Sequence, residues 1–497
     1  MPRKLFLLLI SGFLLTGCAV GPDFQRPEAP SSKNYTVQPL PAETATAPVT
    51  GGTAQQFKTV EAIPRQWWQV FQSPSLDRLI RQGLTDSPSI AAAQAALRQA
   101  RELMSAQYGT TWFPQVDAHL SAAKEQLNSA SFGQSSTGTT SFELYNASVG
   151  VSYLLDLFGG QRRQLEALQA QVDLRNYQLT GTYLTLSANI VTAALQEASL
   201  RAQLQATRDI AADQQRAYDL VQQQFQLGGV ARTDVLVQQT ELAQTLASLP
   251  PLEKALSQTR HLLAVLVGRL PGEAGTLPEF DLASITLPGQ LPVTLPSVLV
   301  RQRPDIQAAE ALLHSASAQV GVATANLYPN ITLSAGYGSQ ANKVDDLFKS
   351  DTIVWNLGAG LVQPLFHGGA LRAQRRAALA ALDQAGALYR QTVLLAFLNV
   401  ADVLRALETD ARALKAQAEA YAAAEDSLAL TKTQFQLGAV NYLSLLVAQR
   451  QYQQARISLI QAQAARYADT AALFQALGGG WQSEPAVAQS AAARENQ

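Results

Sequence analysis

The chain has 497 residues, 47% of them hydrophobic and 15% charged, with 37 basic against 38 acidic side chains. Its length admits about three domains and its composition can build a core, but the balanced charge does not favour nucleic acid as a partner. Cys18 is the only cysteine and the histidines (His119, His261, His314, His367) are scattered, which excludes a disulfide framework, a multi-cysteine zinc site and an iron–sulfur cluster. No HExxH, P-loop or GxSxG segment signals an enzyme.

The N-terminus reads as an address. Arg3 and Lys4 precede the apolar run Leu5–Leu15, which is too short to cross a bilayer as a helix and matches the core of a signal peptide over residues 1–17. Leu15-Thr16-Gly17-Cys18 has the order of a bacterial lipobox, so Cys18 is the expected lipidation site. That covalent lipid is the one attached group expected; no cofactor or metal is. Ala19 follows the cysteine in place of an aspartate, which directs such a lipoprotein to the outer membrane.

Two halves then repeat one pattern. Pro88-Ser89-Ile90 returns as Pro304-Asp305-Ile306, and Phe113-Pro114-Gln115-Val116 as Tyr328-Pro329-Asn330-Ile331. Phe225-Gln226-Leu227-Gly228-Gly229-Val230 returns 210 positions later as Phe435-Gln436-Leu437-Gly438-Ala439-Val440. The repeats are expected over 76–270 and 297–477. The proline-rich stretch 271–296 connects them and 478–497 forms a tail.

Each repeat holds two strand signals, at about 112–124 and 145–157 and at about 328–340 and 353–365. Val116, Ala118, Leu120 and Ala122 alternate with Asp117, His119 and Ser121, and Ile353, Trp355, Leu357, Ala359 and Leu361 alternate with Asn356, Gly358 and Gly360. Such strands have one greasy face and the length to cross an outer membrane at a tilt. Trp112, Phe113, Phe158, Tyr328 and Phe366 flank one end, Tyr145 and Phe348 the other, as an interfacial girdle would.

Long helices follow each strand pair. Gln161–Leu227 and Leu371–Leu437 contain no proline, and their only interior glycines are Gly181 and Gly386. Helices of that length reach roughly 100 Å. The second carries a heptad at Val393, Val400, Leu407, Leu414, Tyr421, Leu428 and Phe435. The first keeps the register at Tyr183, Ile190, Leu204, Tyr218 and Phe225, with Glu197 and Ala211 as exceptions. This period predicts left-handed supercoiling. Each helix turns at glycine and runs back, giving hairpins over 161–267 and 370–477. Pro250-Pro251 is expected to kink or break the first return helix.

Four strands cannot close a transmembrane barrel, and an open edge in lipid leaves backbone groups unpaired. Two copies would supply eight strands and no usable bore. Three supply twelve, enough for a channel.

The sequence resembles the TolC-like outer membrane factors, in the lipoprotein branch often called NodT-like. The marks are Gly21-Pro22-Asp23-Phe24, Trp67-Trp68 with Phe71, Arg301-Gln302-Arg303-Pro304-Asp305-Ile306, Pro364-Leu365-Phe366 with Gly368-Gly369, and Ala476-Leu477-Gly478-Gly479-Gly480-Trp481. They span nearly the whole chain from Cys18. The resemblance implies an α+β membrane protein, a homotrimer. Its transmembrane β-barrel takes four strands from each chain and continues as a long α-helical coiled-coil barrel in the periplasm. Residues 18–75 would lie extended in an equatorial belt. The implied partners are a periplasmic adaptor (membrane fusion) protein, an inner membrane efflux pump and outer membrane lipid. The implied role is an exit duct for drugs or other small toxic compounds, without chemistry of its own.

In that family the periplasmic tip is a closed iris, which here falls at 228–236 and 438–447. Asp234 matches a family acid that ties neighbouring helices, and it is equally placed to cap a helix. Leu443 matches an apolar constriction ring. Val447 stands where many relatives carry an aspartate, and Ser444 where some carry another. A Leu/Val ring closes by packing and dewetting rather than by charge. The resemblance assigns adaptor docking to Gly228, Gly229, Val230, Gly438, Ala439 and Val440, although turn geometry alone also calls for the glycines. Type I protein secretion, metal-ion efflux and a non-conducting envelope spacer are the alternatives. Met1 and Met104 are the only methionines, so no thioether path for a soft metal is read. An envelope enzyme would need more than Asp117 and His119 on one strand face.

Overall fold

A computed structural model describes residues 19–32, 34–60, 63–128 and 139–480. Cys18, the expected signal peptide over 1–17 and the tail from Trp481 lie outside the described residues. The elements in chain order are β1 (Gln56–Thr59), α1 (Pro74–Asp86), α2 (Pro88–Trp112), β2 (Gln115–Asn128), β3 (Thr139–Leu155), α3 (Gly160–Gln226) and α4 (Arg232–Leu266). After these come β4 (Gln290–Val293), α5 (Pro296–Gln302), α6 (Pro304–Ala325), β5 (Asn330–Ala341), β6 (Ile353–Val362), α7 (Ala370–Gln436) and α8 (Tyr442–Ala476). Two compact units arise, one from residues 1–27, 96–175 and 309–389, the other from 28–95, 176–308 and 390–497. Each takes segments from both repeats.

In the first unit a four-stranded antiparallel sheet has the order β2-β3-β5-β6. Its register aligns the alternating residues. Val116 faces Val151, Val151 faces Ala335, and Ala335 faces Leu357. Next to that row Asp117 faces Gly150, Gly150 faces Gly336, and Gly336 faces Asn356. One face is therefore apolar and exposed over its central rows, with Leu120, Val149, Leu333, Tyr337, Trp355 and Leu357 all open. The other is polar and small in its middle rows, with Phe142, Leu144, Leu154 and Val354 around them. Neither β2 nor β6 has a strand on its outer edge among the described residues.

The strand bounds differ from the expected ones. Trp112 ends α2 rather than starting a strand, and Pro114, which has no N–H to donate, separates the two. The first hairpin extends further than apolar alternation does, with Asn128 paired to Thr139 and Lys124 to Glu143. Ladder hydrogen bonds need no greasy side chains. β6 ends at Val362, two residues before Pro364.

The first described residues, from Ala19, are strapped onto this unit. The Val20 N–H donates to the Phe158 carbonyl at 3.0 Å, Asp23 pairs with Arg163 at 2.6 Å, and Phe24 stacks on His314 at 4.3 Å. Gly21 has φ +99°, and a Cβ there would stand 2.4 Å from Gly321 Cα. The Gly21-Pro22-Asp23-Phe24 mark thus has a packing cause.

The second unit is built on the heptads. Val393, Val400, Leu407 and Leu414 are buried, as are Ile190, Leu204 and Ala211. The exception Glu197 is buried too. Its carboxylate accepts from Arg201 at 2.5 Å, Arg260 at 3.0 Å and the Phe280 N–H at 2.9 Å. Arg260 donates onward to the Ala274 carbonyl at 2.8 Å, so this cluster clamps the connector against α3 and α4. β1 pairs in parallel with β4. Arg466, fully buried, donates to Thr44 Oγ1 at 2.8 Å and the Thr53 carbonyl at 2.7 Å, riveting the segment before β1 to α8. Arg303 donates to the Ala476 carbonyl at 2.7 Å and grips Asp305 with two nitrogens.

Two further expectations change. α4 runs unbroken through Pro250 and Pro251. Both prolines are exposed, so water can take the carbonyls that lose their donors. Helices also occupy 74–112 and 296–325, where no element was expected. All four (α1, α2, α5, α6) begin with a proline, the residue whose missing N–H costs nothing at a first turn. Among the described residues no helix is long and apolar enough to cross a membrane.

Two outcomes follow from this packing. Glu197→Gln takes the anion from Arg260 and one of two from Arg201, which keeps Glu279 at 3.0 Å, a loss on the order of 3 kcal/mol at a buried pair. Amide exchange across 271–280 should quicken by more than tenfold, fastest at Phe280; unchanged exchange contradicts the clamp. Burial and the neighbouring Asp410 carboxyl push Asp469 up to about 7. The native chain then holds a proton that the unfolded chain has released, so stability falls as pH rises from the ordinary carboxylate range through 7. Thermal unfolding in detergent at pH 5 and pH 8 should show that fall, and Asp469→Asn should flatten it.

Candidate functional site

The ends of the two helical hairpins are built by local rules. At the end of α3, Gly228 takes φ +77°; its N–H donates to the Phe225 carbonyl at 3.0 Å and the Gly229 N–H to the Gln224 carbonyl at 2.8 Å. At the end of α7, Gly438 takes φ +71°, and the Ala439 N–H reaches the Gln434 carbonyl at 2.9 Å. This is the left-handed glycine stop of a helix. Only its first position requires glycine, which is why Ala439 can stand where the first repeat has Gly229. Apart from the glycine and its chain neighbours, nothing among the described residues lies within 4 Å of a Cβ built at Gly228 or Gly438, so both turns are open outward, with Val230 and Val440 beside them.

The return helices start with complementary halves of one cap. In α4 the cap residue is Ala231, which offers no side-chain acceptor, and the Asp234 carboxylate instead accepts from the Ala231 N–H at 3.1 Å. In α8 the cap residue is Asn441; its side-chain oxygen accepts from the Ser444 N–H at 3.0 Å and the Ser444 hydroxyl at 2.9 Å. Both devices satisfy donors at a helix start. Asp234 and Ser444 are thus engaged in capping within the chain. Leu443 and Val447 lie one turn apart on one face of α8 and are 63% and 44% exposed. The structure brings these two together on an exposed stripe of α8.

A clasp between the hairpins escaped the sequence reading. The Tyr442 hydroxyl at the start of α8 donates to Gln238 Oε1 on α4. Gln238 is fully buried, and its Nε2 donates to the Gln214 carbonyl at 3.2 Å. About two turns further along α8 and one along α4, Arg450 donates to Glu241, whose carboxylate is buried. Burial, reinforced by the Asp234 and Glu241 carboxylates, pushes the Tyr442 hydroxyl up to about 12, so it stays a donor at any physiological pH. Beside the clasp lies an open cleft of about 990 Å³ with Gln244, Thr245, Gln451, Gln454 and Ser458 on its walls. The signal available in sequence was broken symmetry. Gln238 and Glu241 correspond across the repeat to Ala448 and Gln451, so each interacting group lacks a counterpart.

Comparison with known proteins places this architecture. The sequence profile of the outer membrane efflux protein family matches residues 79–269 and 295–479. The pyoverdine export outer membrane protein OpmQ of Pseudomonas aeruginosa is 32% identical, with 84% of this chain and 88% of that one aligned. The toluene efflux pump outer membrane protein TtgC of Pseudomonas putida is 28% identical over 100% of this chain and 99% of its own. Among solved structures, the outer-membrane channel OprN has a TM-score of 0.82 at 30% identity, covering 94% of this chain and 100% of its own. The CmeC outer membrane channel of Campylobacter jejuni shares the fold, with a TM-score of 0.86 at 18% identity over 96% and 99% of the two chains. The duplicated α+β fold, with its four-stranded sheet and long helical hairpins, is that of an outer membrane channel, and the chain belongs to the outer membrane efflux protein family, the TolC-like outer membrane factors.

Proposed function

We propose that the chain is the exit duct of a tripartite efflux system, a lipid-anchored homotrimer that passes small toxic organic compounds to the exterior and closes at its periplasmic tip. The observation that carries the reading is the sheet, which is largely apolar on one face, polar in the middle of the other, and, among the described residues, bare at both edges. Its bare edges call for neighbouring copies, and three copies give a barrel of twelve strands with a polar bore. The covalent lipid sits on Cys18 and holds the trimer in the outer membrane leaflet.

At the tip, three copies of Leu443 and Val447 form an apolar ring. Such a ring narrows the bore by packing and excludes water without fixed charge. The Tyr442–Gln238 and Arg450–Glu241 contacts hold the second-repeat hairpin against the first, so opening must break them. A periplasmic adaptor docks its own helical hairpins beside the turns at Gly228, Gly229 and Val230 and at Gly438, Ala439 and Val440. An inner membrane pump supplies the energy. Relatives named for pyoverdine, toluene and antibiotic efflux support an organic cargo.

Single-channel recordings in planar bilayers test the tip. Wild type should conduct weakly, and Leu443→Ala with Val447→Ala should raise the conductance severalfold. Glu241→Gln, with the ring intact, should give a smaller rise and more frequent openings. A large wild-type conductance unchanged in these variants would place the constriction elsewhere.

A further inference from the structure

The polar face of the sheet is carved, not flat. One cross-strand row runs Asp117, Gly150, Gly336, Asn356, and the next runs His119, Ser148, Gly338, Val354. Side chains lean over the glycines. A Cβ built at Gly336 would stand 2.4 Å from Asn356 Oδ1, one at Gly338 would stand 2.5 Å from Ser148 Cβ, and the His119 ring lies 3.8 Å from one at Gly150. The result is a glycine-floored trough of about 360 Å³ lined by Asp117, His119, Asn146 and Asn356. Three strand spacings separate its Asp117 wall from its Asn356 wall, about 14 Å.

The polar groups of this trough are unspent. Asn146 Oδ1 is buried and accepts no hydrogen bond among the described residues. Asp117 and His119 have no hydrogen bond or ion pair there either. Glu125 is the other acid on this face of β2, four same-face positions further along, roughly 26 Å away. A buried acceptor without a donor is costly unless a ligand or water supplies one. The convergent groups are a carboxylate, an imidazole and an amide oxygen, all able to accept, and the charge is negative.

We propose that this trough is a weak binding site for extended organic cations that carry ammonium donors, with Asp117 supplying the charge and Asn146 and Asn356 the neutral acceptors. It rests on the duct reading, which makes the polar face the water-filled one. The site would bias the duct toward cationic cargo at the sheet, independently of the uncharged Leu443 and Val447 tip.

The test is block of single-channel current by spermine in the Leu443→Ala, Val447→Ala background, where the tip no longer limits conductance. Spermine should reduce the current, and Asp117→Asn should raise the half-blocking concentration by about tenfold, as loss of one charge-assisted contact does. Glu125→Gln should leave it within twofold. Equal shifts in the two variants would reduce the effect to general electrostatics and overturn the site. An open channel that spermine does not block would overturn it as well. Absence of any current, with the assembled protein present, would remove the duct reading itself.

Discussion

A backbone N–H or carbonyl left unpaired in hydrocarbon costs several kcal/mol, and a bare strand edge presents a whole row of them. Among the described residues the sheet has such an edge on β2 and another on β6. Its apolar face carries Leu120, Trp355 and Leu357, side chains that water would not favour and lipid would. Those two facts cannot both be satisfied by one chain. They are satisfied together when the β2 edge of one copy meets the β6 edge of the next and the ring closes. Assembly is then a condition of membrane insertion.

The helices answer the same constraint from the other side. A helix pairs its backbone internally, so the long α3 and α7 need neighbours only for their heptad faces. The two repeats supply near-equivalent faces and then depart from symmetry where something else must be held. Glu197 stands where the second repeat has Leu407, because the connector is clamped at that point. Ala231 stands where the second repeat has Asn441, and the caps are made from opposite ends. Tyr442, Gln238, Arg450 and Glu241 have no repeat-related partners, and they join one hairpin to the other. The duplication supplies a scaffold, and the departures from it mark where the chain does something specific.

Much of this was legible in the residues. Alternation located four strands, and a proline-free heptad located two helices to within a residue of their ends, because both signals are local and periodic. The helices α1, α2, α5 and α6 were not found, although a proline opens each; short segments beside proline read as connector when periodicity is the only guide. Apolar alternation stops short of the polar half of the β2–β3 hairpin because its pairing rests on backbone bonds that leave no pattern in the side chains. At the hairpin ends Leu443 and Val447 share an exposed face of α8, and Asp234 and Ser444 each take part in capping the start of their own helix. The clasp was invisible because its partners lie 204 and 209 positions apart, and no local rule connects residues at that distance.

The shared barrel is most directly tested by joining its edges in intact cells. One cysteine is fixed at Leu120 on β2, which is 81% exposed, and a second is moved along the outward positions of β6 from Ile353 to Leu361. An oxidant then seals any pair that meets. At one register along β6, the account predicts a covalent ladder ending at three chains, with none larger. Only monomers at every position, or a ladder ending at two, would contradict it.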